Sequence, residues 1–226
     1  EQNKRKIFKP FLSLSSEHNL SAKKSLSKLG INIDKDWFVT LHVREAGLHE
    51  KKNSEFFRNA NINDYNLAIE YILNKGGKVV RVGNDKMVKL VEKPGIIDYA
   101  HYASKSEELD IFLGAKSRFC LATSSGFIRV PGYFNTPVIL TNSSNTITYF
   151  GLKNKDIFLP TLLKNKETNQ YLNLEKIMFP PYSMVAHDVE KKYQKWNLEL
   201  VKNSPEDILL ATEEMINRLN NNNFFD

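Results

Sequence analysis

The sequence is poor in the residues that would staple or metallate a small fold. It has one cysteine among 226 residues, Cys120, set inside an apolar run. No disulfide can form within the chain, and a metal–thiolate site is disfavoured. That usage fits a reducing compartment, so a cytoplasmic protein is expected. The five histidines, His18, His42, His49, His101 and His187, share no metal-ligand spacing; neither a metal nor a cofactor is expected. No apolar run approaches the roughly 20 residues that cross a bilayer, and no secretory leader is seen, so the chain reads as soluble. It opens on Glu1 rather than methionine, as expected of a piece trimmed or excised from something longer. No G-x-G-x-x-G follows a strand, no G-K-[ST] loop exists, and Ser125-Gly126 lacks the preceding glycine of a G-x-S-x-G elbow. These gaps disfavour an NAD-dependent reductase or epimerase, a P-loop NTPase and a nucleophile-elbow hydrolase. Lys and Arg exceed Asp and Glu by 32 to 26, for a net +6, but they are scattered rather than clustered with aromatics. Nucleic-acid binding is therefore not expected, while an acidic ligand is permitted.

What is present is an alternation of strands and helices. At 41% hydrophobic the chain can bury a real core, and its length suits one domain or one and a half. Ser16 to Leu29 reads as a helix, with Ser16 as N-cap and Gly30 as its stop. Residues 1–36 are expected to be a linker or the remnant of a preceding domain, and residues 37–226 the main domain. Trp37 to Val43 reads as a strand, residues 46–63 as a long loop, Asp64 to Lys75 as a helix ended by Gly76-Gly77, and Lys78 to Val82 as a strand. Lys86 to Val91 reads as a short helix, Gly95 to Tyr99 as a short strand with Asp98 at its tip, and Ser106 to Leu113 as a helix. Phe119 to Ala122 and Pro137 to Leu140 are buried strands; Leu159 to Leu172 is ambiguous. The last helix opens on Ser204 as cap with Pro205 behind it and carries Ile208, Leu209, Met215, Ile216 and Leu219. This order predicts an α/β fold, a Rossmann-like parallel sheet with helices on both faces.

Ligands of such sheets gather outside the carboxyl ends of the strands. That edge is expected to collect His42, Arg44 and Glu45, then Arg81, then Asp98, then the turn Thr123-Ser124-Ser125-Gly126. The turn offers three hydroxyls, a residue without Cβ and the N–H groups of a following helix, a set suited to phosphate. A helix end alone is worth about 0.3–1 kcal/mol to an anion, so a cation must help. Arg44, Arg81 and Arg58 are the candidates. Plainer alternatives stay open: an ordinary strand-to-helix turn capped by serine, surface salt bridges for Arg58 and Arg81, and a structural rather than catalytic role for His42. Asp34-Lys35-Asp36 matches the D-x-D of metal-dependent sugar transferases, but it precedes a strand and so reads as loop chemistry at the wrong edge.

His42-Val43-Arg44, followed by Asp98, by Asp110-Ile-Phe-Leu-Gly114 and by Phe119 to Gly126, resembles the nucleotide-sugar half of fucosyltransferase-like glycosyltransferases. It is more similar still to a bacterial GT-B-like branch. There the His-Val-Arg is followed by counterparts of Arg58-Asn59, Asp64-Tyr65, Arg81-Val-Gly83, Ile97-Asp-Tyr-Ala100 and Gly126-Phe127. The similarity covers about residues 37–142 and the closing Ser204 to Ile208 helix start. It implies the C-terminal donor domain of a GT-B enzyme. Arg44 would bind the donor diphosphate and stabilise the leaving group without a metal, and His42 is the other catalytic candidate. Thr123, Ser124, Ser125 and Gly126 would hold the same phosphates, Asp98 and Tyr99 would lie near the base or ribose, and Arg58, Arg81 and Gly83 would complete the donor site. The resemblance further implies a nucleotide-sugar donor, with a GDP-sugar favoured, a glycan acceptor, bacterial surface-polysaccharide synthesis, and peripheral association with the inner face of a membrane. Glu45 stands where an aspartate is expected, and the tyrosine usual beyond it is missing at Gly47-Leu48. Only one of the two Rossmann-like domains is visible. A second class of reading therefore stays open, a nucleotide- or phosphosugar-binding module without turnover.

Overall fold

Alternation along the first strand, β1 (Phe38–His42), sets the layers around it: Val39 and Leu41 enter one apolar cluster and Phe38 the other. A strand apolar on both faces belongs in the middle of a parallel sheet. The computed structural model describes residues 10–45, 57–143, 155–184 and 189–221. Five further strands flank β1: β2 (Lys78–Arg81), β3 (Ile96–Ile97), β4 (Phe119–Thr123), β5 (Val138–Ser143) and β6 (Ile157–Pro160). Every neighbouring pair is parallel, in the order β3-β2-β1-β4-β5-β6. This is the Rossmann order, in which the winding reverses between β1 and β4.

Helices α1 (Ser16–Lys28) and α3 (Glu107–Lys116) cover one face, where Ala22, Leu26, Phe112 and Leu113 meet Phe38 and Val80. Helices α2 (Asn66–Asn74) and α7 (Pro205–Asn220) cover the other, where Ile69, Ile72, Ile208 and Met215 meet Val39, Leu41 and Val79. The expected Rossmann-like sheet with helices on both faces is what the chain forms. Because α1 shares this core, residues 16–28 pack on the sheet rather than stand apart from it. Its N-cap is Ser15, one residue before the expected Ser16, and the Ser15 hydroxyl accepts from the His18 N–H at 3.1 Å. The turn from α2 to β2 needs Gly77, since a Cβ there would strike the Trp37 indole. At α7 the Ser204 hydroxyl accepts from the Asp207 N–H and the Asp207 carboxylate from the Ser204 N–H, both at 3.1 Å. This reciprocal cap satisfies two donors that would otherwise be orphaned.

Two segments depart from expectation. Lys86 to Val91 is not helical; the Val88 N–H donates to Glu45 Oε2 at 3.1 Å and the Leu90 N–H to Asp98 Oδ2 at 2.9 Å. Carboxylates capture the donors a helix would have used. The ambiguous region yields a second small unit: β7 (Leu162–Asn165) pairs antiparallel with β8 (Leu198–Val201) beside α5 (Leu174–Met178) and α6 (Val189–Lys195). Its core is Leu163, Ile177, Val189, Tyr193 and Leu198, joined by Phe57. A buried polar chain ties this unit to the sheet. Asn142 and Asn203 exchange backbone-to-side-chain hydrogen bonds of 2.6 and 2.8 Å, Asn142 Nδ2 donates to the Tyr65 hydroxyl at 3.2 Å, Tyr65 and Thr141 hydroxyls lie 2.6 Å apart, and Thr141 Oγ1 donates to the Ala122 carbonyl at 3.2 Å. Most of the expected 46–63 loop, with Gly47-Leu48 and His49, lies outside the described residues, as does His187.

Candidate functional site

Parallel pairing aligns β1 and β4 so that His42 stands opposite Ala122. The residues that follow therefore emerge side by side at the carboxyl edge, where the winding reverses. The Arg44 N–H donates to Thr123 Oγ1 at 2.9 Å, so the two distant segments share one rim. Arg58 reaches the same place: its Nε and Nη2 both donate to the Ser124 carbonyl, at 3.2 and 3.0 Å. The Ala60 N–H then donates to the Arg44 carbonyl at 2.9 Å. Arg44, Arg58 and the hydroxyl turn thus form one connected lip.

The turn's groups are not equivalent. Thr123 is fully buried and its oxygen is engaged by Arg44; Ser124 is also buried. Ser125 Oγ is buried without a hydrogen-bond partner among the described residues. Gly126 is exposed, with nothing within 4 Å of where a Cβ would sit. An unsatisfied hydroxyl beside an open glycine is what the turn presents. The helix expected to open here starts later and is short: α4 (Arg129–Tyr133) has five residues and no side-chain cap. Neither a strong helix-end donor nor a serine cap is found at this turn.

Behind the rim, the His42 ring stacks on Phe127, with centroids 5.7 Å apart and planes 11° off parallel. Its Nδ1 is buried and has no hydrogen-bond partner among the described residues. Burial lowers its pKa from 6.5 to about 4, and the charges of Arg81, Arg44 and Lys105 push the same way. The imidazole is therefore neutral at physiological pH. Lys105 stands before α3 and its amine donates to the Gly83 carbonyl.

Other residues assigned to a ligand from sequence hold the protein itself. Arg81 is fully buried; Nη2 meets Glu45 Oε2 at 2.7 Å and Nη1 meets Asp98 Oδ1 at 3.1 Å. Two of its nitrogens are held by carboxylates and its buried Nε has no hydrogen-bond partner among the described residues; the pairing is buried rather than the surface bridge considered as its alternative. Tyr99 is fully buried; its hydroxyl accepts from the Ser106 N–H at 3.0 Å and donates to the Ser106 carbonyl at 3.2 Å, and burial pushes its pKa up to about 12. Gly83 has φ 153° and a Cβ there would strike Met87, so its place is steric. Beside this edge, a cleft of about 570 Å³ is lined by Lys89, Lys93, Ile96, Asp98, His101 and Tyr102. At the opposite edge Asp36 accepts from the Asn32 N–H at 2.8 Å and from Lys78 Nζ at 2.7 Å, the loop role expected of the D-x-D.

Two lysines at or near the rim were not read from sequence. Lys105 adds positive charge near His42, and Lys202, after β8, donates to the Phe57 carbonyl. Burial lowers the Lys202 pKa to about 8. Both stand alone in the sequence with no patterned neighbours, so no local signal marked them. Among the described residues no group of three or more His, Cys, Asp or Glu is placed to hold a metal ion. No helix among them is long and apolar enough to cross a membrane.

No protein-family model and no curated protein matches the chain. Solved structures do. A glycosyl transferase family 9 protein from Veillonella parvula DSM 2008 aligns over 92% of this chain and 53% of its own, at 14% identity with a TM-score of 0.57. Two structures of TibC are also similar. One is described as a dodecameric iron-containing heptosyltransferase in complex with ADP-D-beta-D-heptose, at 10% identity, 82% and 46% coverage and TM-score 0.45. The other is described as a bacterial iron-containing dodecameric glycosyltransferase from enterotoxigenic E. coli H10407, at 12% identity, 83% and 46% coverage and TM-score 0.41. The chain spans about half the length of these structures. The Veillonella likeness places the fold with that of bacterial GT-B glycosyltransferases.

Proposed function

We propose that this chain is the donor-binding half of a bacterial glycosyltransferase, which transfers a sugar from a nucleotide-sugar and neutralises the departing diphosphate with arginine instead of a metal. The observation that carries the reading is the lip at the winding reversal. Arg44 is bonded to Thr123, Arg58 is clamped on Ser124, and the buried Ser125 hydroxyl and open Gly126 lie in the same turn. When a glycosidic bond to a diphosphate breaks, negative charge grows on the phosphate oxygens. Donors fixed in advance around that position lower the barrier, and each charge-assisted hydrogen bond is worth about 1.5–3 kcal/mol. Arg44 would supply the charge, Ser125 a hydroxyl donor and Gly126 the room for close approach. His42, kept neutral, would line the pocket and take no charge from the phosphates' cations. Arg81, Glu45 and Asp98 would set the shape beneath.

The favoured donor is a GDP-sugar and the acceptor a glycan of the bacterial surface, handled in the cytoplasm at the inner face of the membrane. A second reading is a binding module of the same fold that holds a nucleotide or phosphosugar without turnover. Thermal-shift titration with GDP, UDP, CMP and NAD, with and without EDTA, tests both. A nucleoside diphosphate should stabilise the protein, EDTA should not matter, and Arg44→Ala should abolish the shift. Response to NAD alone would overturn the proposal. Hydrolysis of the donor then separates enzyme from binder.

A further inference from the structure

We infer that Lys202 is a positioning residue: it holds a strap at residues 57–60, and the strap holds the hydroxyl turn and Arg44 in place, coupling the small antiparallel unit to the crevice. The functional value of this device rests on the donor-site reading above; its mechanics do not.

The strap leaves in four directions within four residues. The Phe57 ring packs into the core of the small unit, and the Phe57 carbonyl accepts from the Lys202 amine. The Arg58 guanidinium grips the Ser124 carbonyl through two N–H groups. The Ala60 N–H donates to the Arg44 carbonyl at 2.9 Å. The small unit also reaches the sheet through the buried asparagine pair.

That pair completes a ring. Asn203, next to Lys202, exchanges two hydrogen bonds with Asn142. Asn142 is bonded to Tyr65, and Tyr65 through Thr141 to the Ala122 carbonyl. Ala122 lies two residues before Ser124 on β4. The circuit therefore runs from β4 through the turn, Arg58, Phe57, Lys202, Asn203, Asn142 and Thr141 back to β4. Asn142 is fully buried and Asn203 nearly so, so the backbone of Lys202 starts from a fixed point and its amine can act as a strut.

A lysine is an odd choice for mere stability here. Among the described residues its amine has no carboxylate partner, only a carbonyl, and burying an ammonium without a counter-charge is unfavourable. An uncharged side chain of the same length would fill the space at lower cost. What that side chain lacks is a donor for the Phe57 carbonyl, which is the link that closes the ring.

Hydrogen–deuterium exchange on the ligand-free protein tests the device, with peptides covering 57–60, 119–127 and 78–82. In Lys202→Met, exchange should rise about threefold or more in the first two peptides and stay unchanged in the third, as expected when a local tether is lost without global opening. Lys202→Arg, which keeps a donor, should restore protection. A rise confined to 57–60, or none at all, overturns the coupling. If Lys202→Met fails to fold, Arg58→Gln decides: it should raise exchange in 119–127 and spare 78–82, and an unchanged turn refutes the ring. GDP titration forms the second arm, in which Lys202→Met should weaken binding by about 2- to 30-fold, the usual size of indirect coupling. Weakened GDP binding with an unchanged turn would mean that Lys202 touches the ligand, which refutes positioning. A wild-type protein that ignores GDP sinks the donor reading, while the exchange result still decides the strap.

Discussion

His42 offers a pH test of how the rim is enclosed. In the folded protein its pKa falls from 6.5 to about 4, first because the ring is buried and then because Arg81, Arg44 and Lys105 repel a positive imidazolium. A depressed histidine pKa leaves stability intact above the unfolded value. Between about pH 6.5 and about pH 4 the unfolded chain takes up a proton that the folded chain refuses, so stability is lost as the pH falls. With those two values, the loss is about 2 kcal/mol at pH 5 and saturates near 3 kcal/mol below pH 4. Other groups titrate in that range, so the difference between two proteins is the measurement. Urea denaturation of the wild type and of His42→Leu, at about pH 7.5 and about pH 5, should show the wild type losing about 2 kcal/mol more than the variant. Equal losses, or an imidazole resonance titrating near the ordinary value, would refute an enclosed and charge-crowded His42.

Three further outcomes are expected. Arg81→Met strands Glu45 and Asp98 beneath the rim and should lower stability by about 3 kcal/mol by urea denaturation, and adding Glu45→Gln with Asp98→Asn should recover part of it. Asn203→Ala removes the acceptor for the buried Asn142 N–H and the donor to the Pro160 carbonyl, which should cost about 1–3 kcal/mol in thermal or chemical melts. Gly126→Ala meets no neighbour within 4 Å, so stability should change by less than about 0.5 kcal/mol; calorimetric titration should nonetheless show weaker nucleoside diphosphate binding, because the added methyl stands where a ligand would approach.

The alternation of strands and helices was legible because its signals are local. Ser106 and Ser204 cap where such residues should, and the helix-ending Gly76 takes up φ 79°. Paired apolar clusters follow from runs such as Phe119 to Ala122, which need only a buried strand to explain them. What stayed hidden depends on partners distant in sequence. Residues 86–91 look helical until Glu45 and Asp98 take the amides of Val88 and Leu90. The β7–β8 pair consists of four-residue strands carrying Lys164, Asn165 and Glu199, half turned to solvent, too short and too polar for periodicity to register.

The arginines show why the site was harder to read than the fold. Arg44 and Arg81 each follow a valine at the end of a β-rich run, and on sequence alone they are equivalent. Strand register separates them. Arg81 pairs with Leu41, not with Arg44, which puts it three residues deeper along the strand direction, or about 10 Å at the rise of a parallel strand. At that depth a guanidinium is cut off from water and must find carboxylates; Glu45 and Asp98 reach down to it from the ends of β1 and β3. Arg44 lies beyond the last rung, where its own N–H meets Thr123 and the backbone has left the sheet. One arginine therefore braces the rim from below while the backbone of the other lies along it, and the distinction resides in how the strands are aligned rather than in the motif around either arginine.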